Sequence, residues 1–118
     1  VPEGNGVPID ITDNFNQLVV DSHEDVIVMF YAPWCGWCKK MLPDFDRLAS
    51  HFKDHSSKLK IMKMDATAHQ VQHENVKIYG FPLVHYFKAG NKQNPVEYKG
   101  NRSFDDMVNY INSNKTFL

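Results

Sequence analysis

The chain has 118 residues, 42% hydrophobic and 13% aromatic, enough for one globular domain with a sizeable core. Thirteen basic residues against fourteen acidic ones leave a formal net charge of −1. That balance argues against a nucleic-acid or membrane-surface binder, since both normally carry a strong basic bias. No apolar run approaches the roughly 18 residues that cross a bilayer, and the first six residues lack the basic and apolar regions of a signal peptide.

Residues 1–6, with their Pro and Gly, read as a linker, and the Val start points to a piece of a longer chain; residues 7–118 read as one domain. Val7-Pro8-Ile9-Asp10-Ile11 predicts a short edge strand, because Pro is tolerated at a strand start. Thr12 or Asp13 suits the N-cap of a helix carrying Phe15, Leu18 and Val19. Residues 26–31 are apolar without alternation, the pattern of a central parallel strand buried on both faces. From Cys35 to about Phe52, apolar residues fall at helical spacing around an internal Pro43, which removes one backbone hydrogen bond and predicts a kink. Leu59 to Met64 alternates as a strand does, and Asp65-Ala66-Thr67 leads into a predicted helix ending near Val76. Leu83 to Phe87 reads as a third core strand with His85 facing solvent. A turn at Ala89–Lys92 and a short returning strand at Val96–Tyr98 follow. Ser103 caps a last helix, with Phe104, Met107, Val108, Tyr110 and Ile111 on one side. The order β-α-β-α-β-α-β-β-α predicts an α/β fold, a central mixed sheet flanked by helices.

Cys35 and Cys38 are the only cysteines, two residues apart in Trp34-Cys35-Gly36-Trp37-Cys38-Lys39, at a strand-to-helix junction. Two thiols so placed form and break one disulfide without moving the backbone. A permanent bridge closing so small a loop would add little stability. The free N–H groups and dipole at the helix start favour a negative sulfur at Cys35, the nucleophile of this reading. Cys38, about a turn further on and less exposed, is the resolving thiol. A rival pattern exists: Cys35, Cys38, His51 and His55 have the spacing of a two-Cys, two-His zinc finger. A finger needs a β-hairpin around its cysteines, whereas Cys35 opens a long helix, and Asp44 and Asp46 suit no phosphate backbone. His69 and His73 have no third ligand in the pattern and read as solvated. No metal or cofactor is expected.

The decapeptide Phe30-Tyr31-Ala32-Pro33-Trp34-Cys35-Gly36-Trp37-Cys38-Lys39 resembles the active-site segment of the protein disulfide isomerase family. Three further segments agree in order: Lys63-Met64-Asp65-Ala66-Thr67, Tyr79-Gly80-Phe81-Pro82 and Tyr98-Lys99-Gly100-Asn101-Arg102. The resemblance covers about residues 7–113. It implies a thioredoxin fold with Pro82 as a cis-proline facing the cysteines. It implies that Trp34, Phe81 and Pro82 touch substrate and that Gly36, Trp37, Lys63 and Arg102 tune the site. The implied activity is formation, reduction and rearrangement of disulfides in unfolded polypeptides, with glutathione or a disulfide-donating oxidase recycling the site. The implied compartment is the lumen of the endoplasmic reticulum, and the implied state an isolated monomeric domain. The opening linker resembles the one that leads into the C-terminal catalytic domain of a multidomain isomerase.

Two positions depart from that pattern. Trp37 stands where the family usually has His, whose protonated ring stabilises the thiolate; Trp offers only an N–H donor, so the disulfide should be less oxidising. Met29 stands where the family usually has a buried Glu paired with the Lys matched by Lys63, and a thioether moves no proton. Two other readings compete. Trp34, Trp37, Phe81 and Leu83 suggest an apolar patch, as in a peptide-binding chaperone module with secondary redox activity. A general thioredoxin-like reductase usually carries Cys-Gly-Pro-Cys instead. Asn101-Arg102-Ser103 and Asn114-Lys115-Thr116 are formal glycosylation sequons, compatible with a secretory compartment.

Overall fold

The apolar run after Glu24 becomes the middle of the sheet. In the computed structural model, which describes residues 9–11, 15–55, 58–68, 71 and 73–116, strand β2 (Asp25–Tyr31) is buried at every residue but its last. It runs parallel to β3 (Leu59–Asp65) and antiparallel to β4 (Leu83–Phe87). Strand β1 (Ile9–Asp10) lies parallel beside β3, and β5 (Val96–Glu97) antiparallel beside β4, giving the order β1-β3-β2-β4-β5.

Side-chain alternation along the strands sorts the core into two layers. Ile27, Met29, Ile61, Val84 and Tyr86 meet helices α1 (Gly36–His51) and α2 (Phe104–Asn114) through Met41, Phe45, Leu48, Met107 and Ile111. On the other face Val26, Val28, Phe30, Met62, Leu83 and Phe87 are covered by Phe15, Leu18, Val19 and Val76. The two α-helices therefore share one face. The other is closed by a π-helical turn, Asn16–Val20, and by the segment that follows β3.

Asp25, fully buried at the start of β2, ties the far end of the sheet to the end of α2. Its carboxylate accepts from Tyr86 Oη at 2.6 Å, Ala89 N at 2.8 Å, Thr116 N at 2.8 Å and Thr116 Oγ1 at 2.6 Å. Burial pushes this carboxyl up, but the donors from Thr116, Tyr86 and Ala89 outweigh it and hold the group below its usual range.

Several expected elements differ. The first strand is two residues long; residues 7–8 and the expected cap at 12–13 lie outside the described residues. The helix expected on Phe15, Leu18 and Val19 is a five-residue π-helical turn, although those three side chains are buried as their spacing implies. The helix expected from Asp65 to Val76 is not there among the described residues: turns occupy 66–68 and 74–75. Asp65 Oδ1 takes both Thr67 N at 2.9 Å and Thr67 Oγ1 at 2.5 Å, and His73 Nδ1 takes Asn75 N at 3.1 Å. Such local side-chain acceptors compete with helical backbone bonds. His85 is buried, not exposed, because β4 is covered on both faces; it packs edge-on against Phe30 at 5.4 Å. Leu83 is likewise buried in the core and takes no part in an exposed patch.

Candidate active site

The central strand β2 ends at Tyr31, and α1 begins five residues later. Cys35 is the residue between, the N-cap of α1, with extended φ −80° and ψ 115°. Its sulfur does what a capping oxygen does elsewhere: Sγ accepts the hydrogen bond of Cys38 N at 3.1 Å. A negative sulfur here faces free N–H groups and the positive end of a 16-residue helix.

Both thiols are free, with Cys38 sealed at 1% exposure beneath Ala32 and Cys35 at 6%. Burial first, then the hydrogen bond with Cys35 and that sulfur's charge, push the Cys38 thiol up to about 11; a backbone hydrogen bond at Ala32 and the charge of Arg102 pull the other way.

The Phe81–Pro82 peptide is cis, as the resemblance implies, and Pro82 is buried while Phe81 stays partly open. Phe81 meets Trp34 edge-on at 5.7 Å. Trp34, Trp37 and Tyr79 are 72%, 66% and 70% exposed, so three aromatic rings stand in solvent around Cys35. Between them and Cys35 lies a groove of about 620 Å³, also lined by Ile78 and Phe81. A second groove, of about 580 Å³, runs past Pro82 between Tyr79, Glu97, Lys99 and Arg102. A third, of about 360 Å³, lies across Trp37 and is lined by Lys40, Met41, Gly100, Asn101 and Arg102.

Arg102 is exposed and its Nη2 donates to Pro82 O at 3.3 Å, joining the turn after β5 to the proline segment. The fold thus brings Trp34, Cys35, Gly36, Trp37, Cys38, Phe81, Pro82 and Arg102 together. Lys63 stands apart: it is half-buried on β3 beside Met29 and lines none of the three grooves. The zinc-finger spacing dissolves in three dimensions, because His51 ends α1, roughly 24 Å of helix rise from Cys35.

Three contributors escaped the sequence reading. Tyr79 is an exposed wall of the site and donates its hydroxyl to Glu97, a pairing between distant segments that no local pattern carries. Lys40 places Nζ 4.6 Å from the centre of the Trp37 ring, a contact that the i, i+3 spacing on α1 could have signalled. Tyr98 folds over Gly100 and donates to the carbonyl of Asn101, fixing the turn that presents Arg102.

Comparison with known proteins gives the arrangement its relatives. A protein disulfide-isomerase from Arthroderma benhamiae is 41% identical over 119 residues, covering 97% of this chain and 22% of its own. Human protein disulfide-isomerase A4 is 37% identical, with all of this chain covered and 19% of its own. The chain spans about a fifth of the length of these relatives. Among solved structures, the first thioredoxin domain of mouse protein disulfide-isomerase A4 superposes with a TM-score of 0.76 at 31% identity, covering 100% of this chain and 83% of that one. The Trx4 domain of ERdj5 superposes with a TM-score of 0.74 at 28% identity, covering 95% and 96%. A family model described as thioredoxin matches residues 7–113, nearly the whole chain, and the chain belongs to the thioredoxin family.

Proposed function

We propose that this domain catalyses thiol–disulfide exchange in polypeptide substrates, in the manner of its disulfide-isomerase relatives. The observation that carries the reading is the Cys35 sulfur, seated as the N-cap of α1 and opening into a groove walled by exposed aromatic rings, with Cys38 sealed behind it. Cys35 thiolate attacks one sulfur of a substrate disulfide; the other leaves as a thiolate, and a mixed disulfide forms. Cys38 then loses its proton and attacks Cys35 Sγ, so that the substrate thiol departs and the two electrons of the Cys35–Cys38 pair have reduced the substrate. Run backwards, the same steps oxidise a dithiol. Attack by another substrate thiol on the mixed disulfide rearranges the bonds without net redox change.

Phe81, Pro82 and Trp34 hold the substrate chain beside Cys35, and Arg102 brings positive charge toward the Cys38 thiolate. With Met29 beside Lys63, no carboxylate occupies that place in the sheet, and the Cys38 proton leaves to water. Glutathione or a disulfide-donating oxidase resets the pair. Residence in the endoplasmic reticulum belongs to the same proposal, and the two sequons are compatible with it.

The test is reduction of insulin and refolding of a scrambled disulfide protein. Cys35→Ser abolishes both, while Cys38→Ser still forms a mixed disulfide but fails to release it. The exposed rings of Trp34, Trp37 and Tyr79 favour a second role, holding unfolded polypeptide. The doubly serine-substituted domain separates the two: suppression of aggregation survives, and disulfide turnover does not. Undiminished turnover without either cysteine would overturn the proposal.

A further inference from the structure

The three grooves differ in charge. The one that runs past Pro82 mixes Glu97 with Lys99 and Arg102. The groove across Trp37 is lined by two charged side chains, Lys40 and Arg102, and both are cations. Trp37 is the wall shared with the groove that opens on Cys35, so a substrate whose sulfur meets Cys35 has a path over the indole into this groove. The indole also holds the Lys40 ammonium at 4.6 Å, which keeps that charge at the groove rather than out in solvent. Gly100 and Asn101 floor the groove without carboxylates, so nothing in its lining neutralises the pair.

We infer that the Lys40–Arg102 groove is a carboxylate subsite, which selects polypeptide disulfides bearing an acidic residue near the reacting cysteine. Side chains two residues apart on an extended peptide point to one side and lie roughly 7 Å apart, about the span of an indole. An Asp or Glu two positions from the substrate cysteine therefore reaches across Trp37 to the two cations. The contact steers approach more than it holds the complex, since both cations are exposed. The inference rests on Cys35 as the attacking sulfur but is separable from it.

Three otherwise identical peptides, with Glu, Gln or Lys two positions to either side of one cysteine, are prepared as mixed disulfides with nitrothiobenzoate. Cys35 attacks the peptide sulfur, nitrothiobenzoate leaves as a coloured thiolate, and Cys38 then frees the peptide thiol. At low salt the wild-type domain reacts in the order Glu, Gln, Lys. Lys40→Gln lowers the ratio of Glu to Lys rates about two- to fivefold, the scale of one exposed charge contact. Lys40→Glu lowers it further, and 0.5 M salt compresses the wild-type ratio in the same direction. The Gln peptide reports the sulfur chemistry itself, and the Glu and Lys rates of each variant are read as ratios to it. An unchanged Glu-to-Lys ratio in Lys40→Glu overturns the subsite while leaving Cys35 chemistry intact. Undiminished colour release by Cys35→Ser overturns the underlying assignment instead.

Discussion

Cys38 is held back by the sulfur that the proposed exchange has it attack. After burial, the hydrogen bond with Cys35 and that sulfur's charge are what keep its thiol near 11. Once Cys35 is spent in a mixed disulfide, both of those influences vanish while the pull of Arg102 remains. In the proposed exchange, Cys38 would therefore ionise more readily at the step that uses it. Blocking Cys35 by alkylation should lower the Cys38 titration below about 11, read from thiolate absorbance against pH; a midpoint that stays put or rises would contradict this coupling. Trp37 flanks the same pair from outside. Its ring holds the Lys40 ammonium but carries no charge of its own. Trp37→His places an ionisable cation beside the Cys35 sulfur and should make the disulfide more oxidising by roughly 30 mV, a tenfold change in the glutathione equilibrium. A variant no more oxidising than wild type would show that the helix terminus alone sets the potential.

The turn between β5 and α2 shows how one element serves the site from a distance. Tyr98 meets Tyr110 of α2 edge-on at 4.8 Å between ring centres, and its hydroxyl reaches the carbonyl of Asn101. That ring lies so close over residue 100 that a Cβ there would sit 2.8 Å from the hydroxyl oxygen and 2.9 Å from the ring. Gly100→Ala should therefore cost about 1–2 kcal/mol in denaturant unfolding, an overpacking penalty that Tyr98→Leu in the same chain largely removes. Equal costs in both backgrounds would mean that the glycine serves something other than the ring. The stretch Tyr98–Arg102 was recognisable in the sequence as a family match, yet its working parts were not, because they lie in a side chain folding back on its own turn. The same division holds elsewhere. Strand β2, helix α1 and the two cysteines were legible, since apolar runs, helical spacing and residue type are local signals. The helix expected after Asp65 is replaced by turns, and the bonds of Asp65 and His73 that hold those turns are side-chain events. His85 was misread because alternation assigns a strand two faces, and only the assembled sheet shows that both are covered.

At the scale of the whole molecule, that buried histidine makes stability depend on pH. His85 is 4% exposed in the layer between β4 and the segments covering it, its ring 5.4 Å from Phe30 and 6.4 Å from Phe87. Its Nδ1 has no hydrogen-bond partner among the described residues. Burial is the main cause that depresses its ionisation, with the charge of Glu97 across the β4–β5 ladder opposing and His73 reinforcing. A histidine whose folded value lies below its unfolded value near 6.5 binds its proton more readily in the unfolded chain. Its neutral form is thus matched to the fold above that value, and stability is lost as pH falls through it. Asp25 acts in the same direction further down: its depressed carboxyl supports the fold above about 3.8 and withdraws that support below. Acid should therefore weaken the domain in two stages, at the aromatic layer first and at the tie between β2 and Thr116 second. His85→Phe keeps the ring among its aromatic neighbours and removes the titration. Between pH 7 and 5 the variant should lose on the order of 1 kcal/mol less than wild type in denaturant unfolding. If the profiles instead match between pH 7 and 5, the early acid loss does not come from His85.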